Sequence, residues 1–323
     1  MGIKNLKSII RKHAPEAIQP VGVNFLNGKT VVIDSSILLY RYRYTFDDDL
    51  FHIKGFLYKI KELVKNEIKP IFVFDGTPPQ AKQNVLSGRS ELRNKMKSNL
   101  ETFTKELEVL NEQFGQKNVD LFIDSDDESD ENEIKQKIIK VTSEIKKIKK
   151  NLLIVNKNHS TEVMELLKSL GVPFFQAPGE AEESCAFLQK NGYADYILTE
   201  DTDSLTFGGE SVIMGQELVN LSKVLEKLEL SYQEFIDFCI LCGCDYTCTI
   251  PKIGPVNALK TIKRFRNIEN FIESGTYKIP DSFDYQTARD LFRQNENYHF
   301  DLDFKMDLNF REFEKHLIQF NLN

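Results

Sequence analysis

Three times along this chain an apolar run of β-branched or aromatic residues stops at an acid. Thr30-Val31-Val32-Ile33 leads into Asp34, Pro70-Ile71-Phe72-Val73-Phe74 into Asp75, and Tyr196-Ile197-Leu198-Thr199-Glu200 into Asp201. None of these runs alternates strictly, so each reads as a strand buried on both faces, as in a parallel sheet. Helix-prone stretches such as 56–66 and 161–170 separate them, which predicts βαβ units. Crossovers of one hand put the carboxyl ends of such strands along one edge, where open α/β sheets bind ligands. The expectation is an α/β fold with a mostly parallel central sheet flanked by helices, and three carboxylates on one edge.

Four further acids join them. Pro178-Gly179 is a natural turn into a helix that would begin with Glu180-Ala181-Glu182, where the helix dipole favours acids. Asp203 stands two residues from Asp201, so the two share a side if the backbone is extended. Asp245 follows a helix that Ser231 would cap, with Glu234 three residues on. Like charges crowded this way repel unless cations lie among them. Oxygen donors without His or Cys select Mg²⁺, with Mn²⁺ as a substitute, over zinc. Two such ions, about 3.5–4 Å apart, are a standard device for hydrolysing a phosphodiester. Any one of these acids reads equally well as a helix cap or surface charge. The set carries the inference.

The overall charge points the other way at first. Lys and Arg total 42 against 49 Asp and Glu, a net charge of −7, whereas a nucleic-acid binder is usually basic. Yet seven of the ten residues from Asp124 to Glu133 are acidic and none is basic, which reads as a solvated, mobile insert. With that block and the seven acids above set aside, the remainder turns net positive. No apolar run approaches the ~18–20 residues of a membrane helix, so no membrane partner is expected. Five cysteines make no disulfide framework and suit a reducing compartment. Cys239, Cys242, Cys244 and Cys248 invite a zinc reading. Phe235, Phe238, Cys239 and Cys242, however, recur at helical spacing as one buried face, and no second ligand pair lies nearby. Core thiols are the better account, and the five histidines form no constellation.

Four regions follow: a first strand-and-acid region over 1–82, a charged, helix-prone region over 83–160 containing the 124–133 insert, a second core region over 161–230, and a helical region over 231–323. Lys82 and Arg89, seven apart, would share one side of a helix.

Several stretches resemble the flap endonuclease/XPG-type structure-specific nucleases. They are Met1-Gly2-Ile3 with Leu6, Val32 to Ser36, Ile68 to Gln80, Ala177 to Glu182, Thr199 to Gly208, and Gly243-Cys244-Asp245-Tyr246 running to Pro255, all in family order. The resemblance implies a PIN-like, Rossmann-like nuclease core with a helical arch and a C-terminal helix–turn–helix DNA-binding element. It implies a 5′ flap endonuclease with 5′→3′ exonuclease activity, working with two metal ions in DNA replication, repair or recombination. Asp34, Asp75, Glu180 and Glu182 match the ligands of one ion, and Asp201, Asp203 and Asp245 those of the other. Lys82 and Arg89 match the basic pair aimed at the scissile phosphate, with Arg93 a further DNA contact. Tyr40 matches a base-stacking aromatic, and Gly2 would lie close to the site.

The helix–turn–helix match runs from Thr247 to Arg266, where Gly254, Lys260, Lys263 and Arg264 are duplex contacts. There the sequence departs: Lys252 stands where relatives have glycine. That puts the K⁺ ion of this element and its turn geometry in question, while leaving Lys252 able to reach a phosphate directly. The partner implied is branched or flapped DNA, engaged by a monomer. The setting is intracellular, either the nucleus or a cytoplasmic replication site if the source is viral. The last residues lack the glutamine-plus-paired-aromatic tail that binds the sliding clamp, so that partner is absent or its tail was trimmed. A Holliday-junction or exonuclease-type relative, and a catalytically idle junction-binding scaffold, are the alternatives.

Overall fold

The computed structural model describes residues 2–46, 48–120, 128–152, 155–293 and 304–322. Among them, seven strands form one mixed sheet: β1 (Ile18–Pro20), β2 (Thr30–Asp34), β3 (Lys69–Phe74), β4 (Phe174–Gln176), β5 (Tyr196–Leu198), β6 (Ser211–Met214) and β7 (Glu217–Asn220). Their order is β1-β7-β6-β5-β2-β3-β4. From β6 across to β4 all neighbours are parallel, while β7 and then β1 add antiparallel edges. The β6–β7 reversal takes only two residues because Gly215 adopts φ 67°, open to glycine without cost.

The path of the chain through the sheet creates the site. From β2 it moves outward to β3 and β4, then returns to the other side of β2 with β5 and continues to β6. The direction of winding therefore reverses between β2 and β5, and a crevice opens at such a switch point outside the strand carboxyl ends.

Helices cover both faces. On one lie α1 (Leu6–His13), α7 (Ala181–Lys190), α9 (Leu221–Leu228) and α10 (Tyr232–Cys242); on the other, α2 (Ser35–Thr45), α3 (Phe51–Lys65) and α6 (Lys157–Leu170). Alternation along each strand fixes which residues meet which helices. Val32, Ile71 and Val73 belong to the cluster with α1, α7 and α10. Phe72 and Phe74 turn the other way and pack on Phe56 of α3, at ring-centroid distances of 5.3 and 6.0 Å.

The short α8 (Asp203–Thr206) follows β5, and α11 (Pro255–Phe265), α12 (Ile268–Glu273) and α13 (Tyr285–Arg293) follow α10, with α14 (Phe310–Gln319) near the end. Ser231 and Glu234 close the expected capping box on α10. Phe235, Phe238, Cys239 and Cys242 are all buried, so the cysteine cluster supplies core thiols, and all five cysteines are free. No helix among the described residues is long and apolar enough to cross a membrane.

Residues 84–155 form a second compact unit, separate from the body made by 1–83 and 156–323. It consists of α4 (Gln83–Asp120) and α5 (Glu128–Leu152). Leu110, Val141 and Ile145 form its small core, with Leu100, Phe103, Leu107 and Ile138 against it. Their spacings of three and four are those of a coiled-coil seam. The acidic insert departs from expectation. Residues 124–127 lie outside the described residues, but Glu128 to Glu133 open α5 rather than forming a loop. Acids at a helix N-terminus are favoured by its dipole, so a charge block read as unstructured can begin a helix.

Candidate active site

Each acid reaches the switch-point edge through a different local device. Asp34 ends β2 and caps α2: Oδ1 accepts from the amides of Ser36 at 3.0 Å and Ile37 at 3.4 Å. Its Oδ2 accepts from the Thr199 hydroxyl at 3.1 Å, a bond that crosses the switch point. Asp75 follows β3; Oδ1 accepts from Ala181 N at 2.9 Å and Oδ2 from the Ser36 hydroxyl. Glu180 is the N-cap residue of α7, and Glu182 lies in its first turn. Glu180 is gripped on both oxygens, by the Lys82 ammonium and by the Tyr246 hydroxyl. Asp245 follows α10 and faces Lys82, Oδ2 to Nζ at 3.7 Å.

Asp201 and Asp203 are not extended. The Asp201 carboxylate accepts the Asp203 amide at 3.0 Å, and this turn draws the chain into α8, with Thr202 already helical. The two carboxylates still crowd together. Asp203 is 5% exposed, and its Oδ1 is buried with no hydrogen-bond partner.

The electrostatics record that crowding. Burial pushes the Asp34 carboxyl up to about 7, with help from Asp75 and then Asp201. Burial likewise raises Glu182 well above the carboxylate range, reinforced by Asp34, Asp75, Asp201 and Glu180. Asp203 is driven up by burial, then by Asp201 and Asp245, and Asp201 is raised chiefly by burial. Burial alone would lower the Lys82 amine, but Glu180, then Glu182 and Asp245, outweigh it and hold the amine above its ordinary range.

The seven predicted acids thus share one electrostatic neighbourhood. Among the described residues no three of them close on a common point as ligands of one ion. Protein donors and the Lys82 ammonium stand between them instead. The donor set nevertheless fits hard divalent cations: it is all oxygen, Asp34, Glu180, Asp201 and Asp203 in it are buried, it repels itself, and it keeps an unpartnered oxygen on Asp203.

Gly2 is pressed against the same place. A Cβ built on it would lie 1.9 Å from Asp201 Oδ1 and 2.8 Å from Asp203 Oδ1, and its φ is 81°. Only glycine fits there. Beside α2, a cavity of about 730 Å³ runs from Asp34 and Thr199 past Glu200 to Arg41, Tyr58 and Lys59.

The family model for the XPG N-terminal domain matches residues 1–96, and that for the XPG I-region matches 171–245. The chain is 36% identical to flap endonuclease 1 of Drosophila mojavensis, across 92% of this chain and 74% of that protein. It is 32% identical to flap endonuclease 1 of Entamoeba dispar, across 96% and 80%. The chain belongs to the XPG/flap endonuclease family. Its fold is similar to the catalytic core of Rad2 in complex with DNA substrate, with TM-score 0.69 and 22% identity over 98% of this chain and 95% of that one. It also resembles flap endonuclease-1 from Methanococcus jannaschii, with TM-score 0.57 and 21% identity over 94% of each.

Within that family frame the basic pair needs correcting. Lys82 closes a 3₁₀ turn, Gln80–Lys82, immediately before α4, while Arg89 lies inside α4, so they do not share a helix face. The Arg89 side chain lies outside the described residues, and Arg93 sits half-buried on α4.

Tyr40 is exposed on α2. In the 247–266 element, Gly254 is the N-cap residue of α11 with Pro255 behind it. Lys252 keeps the glycine-like geometry of the turn, at φ 69°. Lys260, Lys263 and Arg264 are exposed on α11; Lys263 pairs with Glu229 at 2.9 Å, and the Arg264 guanidinium lies 4.9 Å from the Phe265 ring.

Sequence reasoning gave no role to Ser36, Thr199 or Tyr246, which bind Asp75, Asp34 and Glu180. Tyr246 is 66 residues from Glu180, so no local spacing could have paired them.

Proposed function

We propose that this chain is a structure-specific 5′ nuclease that hydrolyses phosphodiesters of flapped or branched DNA, using two Mg²⁺ ions for which Mn²⁺ can substitute. Asp34, Asp75, Glu180 and Glu182 would hold one ion, and Asp201, Asp203 and Asp245 the other. When bound, such ions supply Lewis-acid activation of the attacking water and of the scissile phosphate. The observation that carries this reading is the cluster of mutually repelling carboxylates at the switch point, with Asp34, Glu180, Asp201 and Asp203 buried and with Asp34, Glu182, Asp201 and Asp203 displaced upward. A purely DNA-binding scaffold gains nothing from that arrangement, which costs folding energy until cations relieve it.

The rest of the chemistry belongs to the chain. Asp34 and Asp75 are held by backbone amides and hydroxyls, so their positions are set before any substrate arrives. Lys82 stays protonated at any working pH, a fixed cation suited to a phosphorane that needs charge rather than a proton. Arg89 would add a second. Gly2 lets the N-terminal segment pass against Asp201 and close the site on that side.

Tyr40 would stack a base near the cut. The turn at Lys252 and Gly254, with Lys260, Lys263 and Arg264, would hold duplex phosphates. The exposed ion pair of Lys263 is weak enough for a phosphate to compete with.

Cleavage of matched flap, nick, gap and four-way-junction DNAs in Mg²⁺ tests the reading. Asp201→Ala should reduce flap cleavage by about 1,000-fold or more while leaving DNA binding largely intact. An Asp201→Ala variant that still cuts at near wild-type rate contradicts the assignment. Preference for the four-way junction would move the chain to the junction-resolving branch of the family.

A further inference from the structure

Thr199 stands where β5 ends, between the two sets of acids. Its amide donates to the Ile213 carbonyl at 3.1 Å, which keeps the residue in the sheet beside β6. The residue is buried, and its side chain reaches toward the end of β2. The hydroxyl makes two hydrogen bonds, accepting from the Asp201 amide at 3.0 Å and donating to Asp34 Oδ2 at 3.1 Å. An amide can only donate, so the hydroxyl's single proton is committed to Asp34 and the polarity of the link is fixed.

The run of bonds continues, because Asp201 Oδ1 accepts from the Asp203 amide at 3.0 Å. One hydroxyl therefore joins Asp34, of the first set, to Asp201 and through it to Asp203, of the second. Lys82 also spans the two sets, between Glu180 and Asp245, but as a cation. An ammonium cancels charge that a metal ion would otherwise use, whereas a hydroxyl orients a carboxylate and leaves its charge in place. The Asp201 contact alone would be an ordinary turn, a hydroxyl accepting the amide two residues on. Such a turn needs nothing from Asp34, 165 residues earlier in the chain. The second bond ties the turn to the neighbouring strand.

We propose that Thr199 is a positioning residue whose hydroxyl sets the distance between Asp34 and Asp201, and thereby lets both sets of acids take a divalent cation at once. This role rests on the two-ion reading and deepens it by naming what keeps the two ion sites in step. Threonine suits the task, because its branched β-carbon restricts χ1 and aims the hydroxyl before any ion arrives. Loss of the hydroxyl strands a buried amide on Asp201 and takes a donor from Asp34, so each acid is free to shift away from the other. Groups that orient metal ligands in this way cost about 10–100-fold in metal affinity when removed.

The test uses the full chain without DNA, with Mn²⁺ added stepwise and the unbound ion followed by electron paramagnetic resonance. Wild type should take up two ions. Thr199→Val keeps the shape and removes the hydroxyl, and should bind the second ion about 10–100-fold more weakly. Thr199→Ser should bind both nearly as wild type does. In cleavage of a 5′-flap DNA, Thr199→Val should need a correspondingly higher Mg²⁺ concentration for half-maximal rate, with the KM for DNA little changed. A hydroxyl that only closed a turn would lower the melting temperature and leave both ion affinities alone. Should Thr199→Val fail to fold, Thr199→Ala is measured in its place against the same outcomes. Either variant with wild-type Mn²⁺ affinities and Mg²⁺ requirement overturns the proposal, as does a Thr199→Ser protein as impaired as Thr199→Val. A wild type that takes up fewer than two Mn²⁺ ions would remove the two-ion reading itself.

Discussion

Asp203 and Asp237 are buried carboxylates in the same body, yet their surroundings are opposite. Asp237, 1% exposed, takes hydrogen bonds at 2.8 Å from Nε and Nη2 of Arg289, plus the amide of Ile268 at 3.2 Å. Glu269 engages the same guanidinium, so α10, α12 and α13 are joined through one ion-paired network. Asp203 has only acids and a shared lysine for charged neighbours, and one of its oxygens has no partner. Burial raises both carboxyls, but at Asp237 the Arg289 contacts work against it, whereas at Asp203 the nearest acids add to it. The first region is complete as folded. The second is a site whose charge balance must come from outside the chain.

The largest effect expected from that contrast is at Arg289. Arg289→Ala leaves Asp237 buried and unpaired, and should cost about 3–5 kcal/mol in denaturant unfolding. A loss no larger than that of a surface substitution would break the comparison, because the network would then be incidental. The smallest effect is expected at Lys252, a different kind of strained position. Its left-handed backbone disfavours a side chain, and its carbonyl is pinned by Asn257 Nδ2 at 2.9 Å. Lys252→Gly should relieve that strain, offset in part by a more flexible unfolded chain, for a net gain of about 0.5 kcal/mol. If stability falls instead, the lysine side chain contributes to the fold as well as standing ready for DNA.

The sheet and most of the acid edge were legible because buried parallel strands are unbroken apolar runs, and an acid after such a run is conspicuous. Glu180 was legible through the turn before it, and Ser231 through its capping box. The grips on those acids were not. Arg289 lies 52 residues from Asp237 and Tyr246 lies 66 from Glu180, distances bridged only by tertiary packing. The local error at Asp201 and Asp203 came from reading two alternating acids as extended, when the first carboxylate captures the amide of the second and turns the chain. Around Lys82 the error was to let a helical spacing run back through a 3₁₀ turn. The seam residues Leu100, Phe103, Leu107 and Leu110 of α4 carried a heptad signal that the dense charge around them concealed.

The central claim is that the edge acids are held against their own repulsion for the sake of divalent cations. Its thermodynamic sign is definite. A carboxyl such as Asp34, raised from 3.8 to about 7 on folding, stabilises the ion-free protein fully below pH 4 and loses that contribution as pH rises through 7. In EDTA, stability should therefore fall between pH 5 and pH 8, and Mg²⁺ should restore more of it at pH 8 than at pH 5. The most direct measurement compares melting of wild type and Asp203→Asn at pH 8, each in EDTA and in Mg²⁺. Asp203→Asn should melt above wild type in EDTA and gain much less from Mg²⁺. A variant that melts below wild type in EDTA, yet keeps the full gain from Mg²⁺, would make Asp203 a structural carboxylate like Asp237 and contradict the account.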